Sequence, residues 1–279
     1  MLIRKIYYRL PLPLRALCRK IVSIPSDIKY YLTQPSDAMH PPKGQILIGS
    51  GDFLEQGLHQ LSLLQRHIDI RPNHEVLDIG CGQGRTAVAL TRYLNNMGRY
   101  IGIDIMPRAI QWCESRIANR HHNFRFHLIH SHNQLYQDSL LPKSHILLPF
   151  ADASFDKCFL FSVFTHLTES SVRGYMAEIC RVLRPNEYCL CTMFVYDKGS
   201  EHRISDQNDG MKFPYMRSGH RLMNERVEEA NVAYDINLIS EMVAATGLSI
   251  TNYTEGYWKD WVKKSAENSF QDLIILRKL

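Results

Sequence analysis

The sequence lacks any apolar segment that approaches the roughly 20 residues needed to span a bilayer as a helix. Its longest apolar run is Ile146 to Ala151, and others, such as Leu273 to Leu276, are shorter. It also lacks a C-x-x-C pair, although it has seven cysteines, and most of these lie in apolar stretches. Such cysteines are typical of reduced thiols that pack as small hydrophobic side chains. We therefore expect a protein without a transmembrane helix, in a reducing, cytoplasmic compartment.

Acidic residues are absent from residues 1–26, a segment that holds six basic ones: Arg4, Lys5, Arg9, Arg15, Arg19 and Lys20. Without these six, the 33 Lys and Arg residues of the chain fall to 27, against 28 acids. The remainder is therefore not basic, whereas a nucleic-acid enzyme usually carries a basic stripe across its catalytic domain. The charge distribution argues against a nucleic-acid partner.

The same N-terminal segment has no apolar core of the kind found in signal peptides, because Pro11, Pro13 and recurring charges interrupt it. Aliphatic and aromatic residues alternate with its bases. One interpretation is an amphipathic piece in which residues 1–26 contact an anionic membrane, at the inner membrane face. The other is a helix that packs on its own domain and leaves a basic face in solvent.

Prolines and glycines are frequent between residues 25 and 50 and predict turns there. They divide the chain into an N-terminal extension and linker, 1–48, and a main domain, 49–279. Helical spacing over Phe53 to Ile68, with Asp52 as N-cap, predicts the first helix of that domain.

Short apolar strands alternate with helical patterns from residue 74 onward, which is typical of an α/β protein with a doubly wound parallel sheet. The predicted segments are 75–79, 86–96, 100–104, 107–119, 124–130, 155–162, 169–183 and 187–195. The alternation stops over about residues 196–235, which predicts a lid or substrate-binding insertion after the fifth strand. A helix at 235–246 and strands at 248–253 and 270–277 complete the pattern.

A glycine-rich turn follows the first strand, where Asp78 precedes Gly80, Gly82 and Gly84. Asp104 ends the next strand, a position from which a carboxylate can accept hydrogen bonds from ribose hydroxyls. This pair of features predicts a nucleoside-bearing cofactor. The spacing is G-x-G-x-G rather than the G-x-G-x-x-G of dinucleotide enzymes, and the preceding acid suits a cationic ligand better than a pyrophosphate. A nicotinamide oxidoreductase is thus disfavoured.

These residues resemble the motifs of class I S-adenosylmethionine-dependent methyltransferases. The run D-I-G-C-G-Q-G-R at 78–85 resembles the first motif, and Gly102 to Asp104 resembles the second. The segments 149–156, 162–167 and 181–186 are similar to the family's fourth-strand and fifth-strand signatures, and 271–276 resembles its antiparallel last strand. The resemblance implies a Rossmann-like seven-stranded sheet and S-adenosyl-L-methionine as the cofactor.

The resemblance also implies which residues bind that cofactor. The glycines would shape its loop, Asp78 would balance the charge of the methionine moiety, Asp104 would hold the ribose, and residues 50–52 would lie over the methionine end. The family often has an acid after the third strand, but here the run is His130-Ser131-His132-Asn133, so Asn133 or a backbone group is expected to replace it. The full set of expected cofactor-binding residues is Asp78, Gly80, Cys81, Gly82, Gly84, Arg85, Asp104, Ile105, Met106, Asn133 and Ser162.

Within the family, the segments 49–53, 102–107, 162–167 and 269–272 look most like those of bacterial methyltransferases associated with surface-polysaccharide biosynthesis. This narrower resemblance implies O-methylation of a sugar hydroxyl in a surface glycan or its precursor. Two alternatives stay open: methylation of a lipid, quinone or other small metabolite, and a catalytically silent cofactor-binding partner in a glycan-assembly complex.

Transfer to a hydroxyl requires a base, and His166 is the candidate because it follows the fourth strand at the mouth of the sheet. The alternative is that its imidazole caps a helix or orients the loop. The histidines at 121, 122, 127, 130 and 132 have no cysteine or acid at ligand spacing, so we expect no metal.

Aromatic and polar residues of the insertion and the C-terminal part are candidates for a sugar-binding wall: Tyr215, His220, Tyr234, Tyr257 and Trp258. The alternative for each is core or lid packing.

Overall fold

A computed structural model describes residues 12–33, 38–46, 51–129, 146–207 and 211–279 of the chain. In these residues the helices are α1 (Leu12–Thr33), α2 (Phe53–Ile68), α3 (Arg85–Leu90), α4 (Pro107–Cys113), α5 (Glu169–Val182), α6 (Glu201–Asp206) and α7 (Ile236–Ala244). The strands are β1 (Glu75–Ile79), β2 (Arg99–Asp104), β3 (Phe124–Leu128), β4 (Phe155–Leu160), β5 (Leu183–Tyr196), β6 (Tyr215–Arg217), β7 (His220–Leu222), β8 (Val232–Asp235), β9 (Leu248–Thr254) and β10 (Asp272–Lys278). No helix among these residues has the length and apolarity needed to cross a membrane.

The predicted doubly wound α/β fold is confirmed. Strands β1 to β5 are parallel in the order β3-β2-β1-β4-β5. Strand β10 pairs with β5 and β9 and runs antiparallel to both. Strands β1 to β5, β9 and β10 are thus the seven strands expected from the resemblance, and the one that comes last in the chain is antiparallel as expected. The carboxyl ends of β1, β2 and β4 therefore lie along one edge, where open α/β sheets bind ligands.

Helices cover both faces of this sheet because alternate residues of a strand point to opposite sides. In β1, Leu77 and Ile79 join the core cluster that contains α5 residues, whereas Val76 joins the cluster that contains α2 and α3 residues. Asp78 shares the side of Val76, and this places its carboxyl group next to Tyr100 of β2.

The first predicted helix is confirmed at both ends. Helix α2 begins after Asp52, whose carboxylate accepts a hydrogen bond from the Glu55 amide at 2.9 Å, and it ends before Asp69 in the left-handed conformation. The predicted helix at 86–96 is shorter than expected, because α3 ends at Leu90 and turns follow. The predicted helix at 107–119 divides into α4 and a π-helical turn, Glu114–Ala118.

The segment predicted as a lid or substrate-binding insertion contributes strands to the sheet, so the expectation of seven strands is corrected to ten. Strand β8 pairs in parallel with the last residues of β5, and β7 and β6 follow it as an antiparallel hairpin. These strands have only three or four residues, too few to show a clear alternation. The insertion takes part in a small core, the insertion core, in which its Phe213 is buried with Phe194 of β5 and Trp258 of the β9–β10 connection.

The N-terminal extension is also more regular than the sequence predicted. Helix α1 continues through Pro25 to Thr33, so the expectation of turns from residue 25 is wrong. One side of α1 packs on the turn at 43–45, where the Gly44 amide donates to the Asp27 carboxylate at 3.0 Å. The proposed division between extension and main domain, at 48/49, lies outside the described residues.

Candidate active site

The glycine-rich loop after β1 is held against the end of β2. The amides of Gly80 and Cys81 both donate to the carbonyl oxygen of Ile103, at 2.8 and 3.0 Å. Gly80, Gly82 and Gly84 have φ values of 77°, 53° and 78°, in the left-handed region that favours glycine. The three predicted glycines are therefore required by the backbone of this loop.

Gly82 differs from the other two in its surroundings. A Cβ atom at Gly80 would lie 2.3 Å from a methyl group of Val163, and one at Gly84 would lie 2.5 Å from Ile117. At Gly82 a Cβ would meet no atom within 4 Å. The loop is packed at its two ends and has open space in its middle, which is the arrangement that a ligand lying along its backbone needs.

Two buried carboxyl groups flank this open space. Asp104 accepts hydrogen bonds from the amides of Gly82 and Met106, both at 2.8 Å, and burial raises its pKa. Asp78 accepts a hydrogen bond from the Tyr100 hydroxyl at 2.6 Å. Burial raises the pKa of Asp78 to about 7, the Tyr100 hydrogen bond opposes this rise, and the negative charge of Asp104 adds to it.

The remaining predicted cofactor residues near this loop have different environments. Cys81 is buried, and burial raises the pKa of its thiol. Arg85 begins α3 with its guanidinium over the Phe53 ring, 5.3 Å from the ring centre, and burial lowers its pKa. Ile105 and Met106 follow β2 and are half-buried. Two predicted positions, Ser50 and Asn133, lie outside the described residues.

Ser162 lies in the loop after β4 and is held by a hydrogen-bond cycle. Its amide donates to Thr192 Oγ1 at 2.7 Å, Thr192 Oγ1 donates to Gln271 Oε1 at 2.6 Å, and Gln271 Nε2 donates to Ser162 Oγ at 2.7 Å. The cycle holds Ser162 at a φ of 63°, which is uncommon for a residue with a side chain. Sequence reasoning missed the roles of Thr192 and Gln271, because these residues are 30 and 109 positions from Ser162.

His166 lies in the same loop, on a short 3-10 turn (Phe164–His166). Its Nδ1 atom is 3.0 Å from the carbonyl oxygen of Glu229 in the insertion. A carbonyl oxygen only accepts hydrogen bonds, so Nδ1 is the donor in this contact. Burial lowers the pKa of His166 and backbone hydrogen bonds to Glu229 and Ala230 act to raise it, but burial has the larger effect, so the neutral ring is favoured near pH 7.

The predicted sugar-binding wall divides into two groups. Tyr215 is exposed, and His220 and Tyr257 are half-buried. Tyr234 and Trp258 are fully buried: the Tyr234 hydroxyl donates to the carbonyl oxygen of Leu167 at 2.6 Å, and the Trp258 indole donates to Asp272 at 2.7 Å. The expectation that these two line a substrate surface is wrong, and they are core residues.

Of the predicted histidine cluster, His130 and His132 lie outside the described residues. His122 and His127 are exposed, and His121 is half-buried against Phe124. Among the residues that the structure describes, no three His, Cys, Asp or Glu side chains form a group that could hold a metal ion.

Comparison with known proteins gives a consistent result. A family model described as a methyltransferase domain matches residues 70–261. An O-methyltransferase of Pyrenophora dematioidea is 28% identical over 155 residues, which cover 54% of this chain and 51% of that protein. The chain spans about half the length of the curated relatives it matches.

Two solved structures share the fold. The PH0226 protein from Pyrococcus horikoshii OT3 has a TM-score of 0.56 at 15% identity, with 90% of this chain and 99% of that chain covered. Geranyl diphosphate C-methyltransferase from Streptomyces coelicolor A3(2), in complex with Mg²⁺, geranyl diphosphate and S-adenosyl-L-homocysteine, has a TM-score of 0.52 at 14% identity. This match covers 81% of each chain.

Proposed function

The chain belongs to the methyltransferase domain family, and from this premise we propose that it transfers a methyl group from S-adenosyl-L-methionine to a sugar hydroxyl in a glycan or glycan precursor. The observation that carries the proposal is the glycine loop, open at Gly82 and flanked by the buried carboxyl groups of Asp78 and Asp104. Two acids in a buried site favour a cationic cofactor over a pyrophosphate.

The residues of this loop fit S-adenosylmethionine. Asp104 uses one lone pair of each carboxylate oxygen for a backbone amide, and the others can accept the ribose hydroxyls. Asp78 would balance the positive charge of the methionine moiety, and Ile105 and Met106 would flank the adenine. When bound, the cofactor supplies an electrophilic methyl group on a positively charged sulfur.

His166 is the proposed base. Its Nδ1–H donates to the carbonyl oxygen of Glu229, which orients the ring. Burial lowers its pKa, so the unprotonated ring would be available to take the proton of an acceptor hydroxyl. The Ser162 cycle fixes the loop that carries His166, so the two residues act together: Ser162 shapes the edge of the site and His166 moves the proton. Alignment of this kind supplies much of the rate gain in a displacement reaction.

A sugar acceptor is supported by the half-buried or exposed polar aromatics Tyr215, His220 and Tyr257, which are suited to sugar rings. The O-methyltransferase relative supports an oxygen acceptor. We place the reaction in the cytoplasm, because the cysteines at 81, 113, 158, 180, 189 and 191 are free thiols and a reducing compartment keeps them so.

The cofactor assignment is tested by thermal unfolding of the full chain with S-adenosylmethionine, S-adenosylhomocysteine or NAD. Ligand at a hundred times its dissociation constant stabilises the protein by about 2.7 kcal/mol, which raises the midpoint by several degrees. We expect shifts with the two sulfur ligands only, lost in Asp104→Ala. Asp206→Ala, which removes an exposed acid on α6, is the control and should keep them. A shift with NAD alone would contradict the assignment.

The acceptor is tested with radiolabelled methyl donor and two acceptor panels, nucleotide-linked or lipid-linked sugars and sugar-free hydrophobic hydroxyl compounds. Methylation confined to the sugars supports the proposal. Methylation of the hydrophobic compounds would instead identify a lipid or small-metabolite methyltransferase. Intact cofactor binding without turnover on either panel would indicate a catalytically silent partner.

A further inference from the structure

The side of α1 that faces away from the rest of the protein is apolar. Ile21, Ile24, Ile28, Tyr31 and Leu32 are between 51% and 81% exposed. Their separations of three, four, three and one place them along one stripe of a helix with 3.6 residues per turn. We name these five residues the outer face of α1. A row of aliphatic side chains in solvent is unfavourable unless something covers it.

The opposite side of α1 is attached to the protein. Ser23 is buried, the Tyr30 hydroxyl donates to the carbonyl oxygen of His40 at 2.6 Å, and Asp27 accepts the Gly44 amide. Gly44 leaves no space there, because a Cβ would lie 2.3 Å from an Asp27 oxygen. These contacts determine how α1 is rotated. They also turn Asp27, the only acid in residues 21–33, away from the outer face.

The sequence that leads into the outer face is strongly basic. Residues 1–20 contain six Lys and Arg residues and no acid. A basic segment next to an apolar helical stripe matches a surface that has negative charge above a hydrocarbon layer. It does not match a second copy of α1 equally well, because residues 1–33 of that copy contain one acid, Asp27, and would offer the six basic residues little negative charge.

We propose that the outer face of α1 docks on the surface of an anionic lipid bilayer. The aliphatic side chains enter the boundary between headgroups and acyl chains, and the charge of the basic sequence that precedes them attracts anionic lipid. Tyr31, whose hydroxyl accepts a hydrogen bond from Gln45 at 2.8 Å, lies at the headgroup level. This proposal does not depend on the identity of the methyl acceptor.

Docking would also orient the active site. The segment 38–46 joins α1 to the cofactor loop, since Gln83 Nε2 donates to the carbonyl oxygen of Gln45 at 3.1 Å and the Trp112 indole donates to that of Met39 at 3.3 Å. Gln83 lies between Gly82 and Gly84. A bilayer under α1 would thus hold the glycine-loop edge of the sheet at a defined position relative to the membrane, where a lipid-linked acceptor is presented.

The test is co-sedimentation of the full chain with vesicles of phosphatidylcholine mixed with phosphatidylglycerol, and with vesicles of phosphatidylcholine alone. We expect binding to the mixed vesicles that weakens as salt is added, because salt screens the basic residues. Ile28→Glu should lower the partition coefficient about tenfold, because it places a charge in the apolar stripe. Leu32→Glu should do the same.

Met97→Glu is the matched control. Met97 is an apolar residue, 72% exposed, in the turn before β2, so the substitution makes the same change of charge away from the outer face. It should leave the partition coefficient within about twofold of the wild type. All three variants should keep the far-ultraviolet circular dichroism and unfolding midpoint of the wild type.

Two results would overturn the proposal. One is equal vesicle binding by the wild type and both α1 variants. The other is absence of wild-type binding to the mixed vesicles. If the wild type is then a dimer in sedimentation equilibrium that Ile28→Glu dissociates, a second copy is the occupant of the outer face.

Discussion

Asp78 is the residue at which folding and the proposed cofactor binding have opposite requirements. Its carboxyl group is buried, and the only hydrogen bond to its side chain that we identify in the described residues comes from Tyr100. An ionised carboxylate in such a site destabilises the folded protein, and this is why its pKa is raised to about 7. A bound cation would relieve that cost. The unliganded protein is therefore expected to be less stable at alkaline pH than an uncharged variant.

Asp78→Asn should show this directly. An ordinary Asp has a pKa of about 3.9 when unfolded, so a folded pKa near 7 means that the wild type loses stability as pH rises from about 4 to 7. Relative to the wild type, the Asn variant should gain about 1.4 kcal/mol per pH unit over that range and then level off. Urea unfolding at several pH values measures the difference. A difference that does not change with pH would contradict the burial argument, and Asp206→Asn, at an exposed site, is the control.

His166 raises a different question at the same scale, whether the ring moves a proton or only supports the loop. His166→Asn is the informative variant, because the Asn amide can retain the hydrogen bond to Glu229 and has no basic nitrogen. If His166 is the base, kcat falls by about 10²- to 10⁴-fold while the cofactor dissociation constant is unchanged. A variant that keeps wild-type turnover would assign His166 a positioning role.

The pH dependence gives a second readout of the same residue. A base is active when unprotonated, and burial lowers the pKa of His166. The wild-type rate should therefore be flat at neutral pH and fall only below the ordinary histidine value of about 6.5.

At the scale of elements, the insertion after β5 is a folded unit and not a loose lid. Arg221 of β7 explains much of its order. Its buried guanidinium donates to the carbonyl oxygens of Phe213 and Pro214 at 2.8 and 3.1 Å and pairs with Glu201 of α6 at 2.9 Å. One side chain thus joins β7, the segment before β6, and α6. The insertion also reaches the β4 loop, through the bond from His166 to Glu229.

Arg221→Leu should lower the free energy of unfolding by about 2 to 4 kcal/mol, because the buried carbonyl oxygen of Phe213 and the partly buried one of Pro214 lose their charged donor. Arg217→Leu in the same hairpin is the control. Its pair with Glu225 is longer, 3.7 Å, and more exposed, so its loss should change stability by no more than about 1 kcal/mol. Urea unfolding of both variants makes the comparison, and equal losses would show that the Arg221 contacts do not organise the insertion.

At the scale of the whole molecule, Asp272 connects the insertion core to the main sheet. It begins β10 and is fully buried. Its carboxylate accepts hydrogen bonds from the amides of Val195 and Gly256 and from the Trp258 indole, and the Lys259 ammonium lies 3.1 Å away. The end of β5, the β9–β10 connection and the insertion core thus meet at one charged group.

Asp272→Asn should therefore destabilise the whole chain by about 3 to 5 kcal/mol, since it leaves the buried Lys259 with one carboxylate fewer. Asp272→Asn combined with Lys259→Met should recover part of this loss, because the unpaired charge is removed. The coupling energy from the double-mutant cycle measures the interaction. If the two single losses simply add, the two residues do not interact.

Much of the fold could be predicted from local spacing. The bounds of α2 and β1 agree with the sequence pattern because an N-cap acid, a helical apolar stripe and a short apolar strand are properties of neighbouring residues. The glycine turns after β1 and the two acids near them could be located for the same reason, and their role in cofactor binding stays a prediction. The assignment of Tyr234 and Trp258 to a substrate surface was wrong. Their residue types suit a sugar, but their burial depends on contacts with residues far away in the sequence.

The sequence by itself determined the order of strands and helices, the left-handed turns at Gly80, Gly82 and Gly84, and the two acids beside them, because backbone geometry and strand periodicity act over a few residues. Only the tertiary structure decided that Thr192 and Gln271 hold Ser162, that the insertion extends the sheet, and which side of α1 faces outward. These outcomes depend on contacts between segments far apart in the chain. The spacing of neighbouring residues carries no information about these contacts, which form only when the whole chain packs.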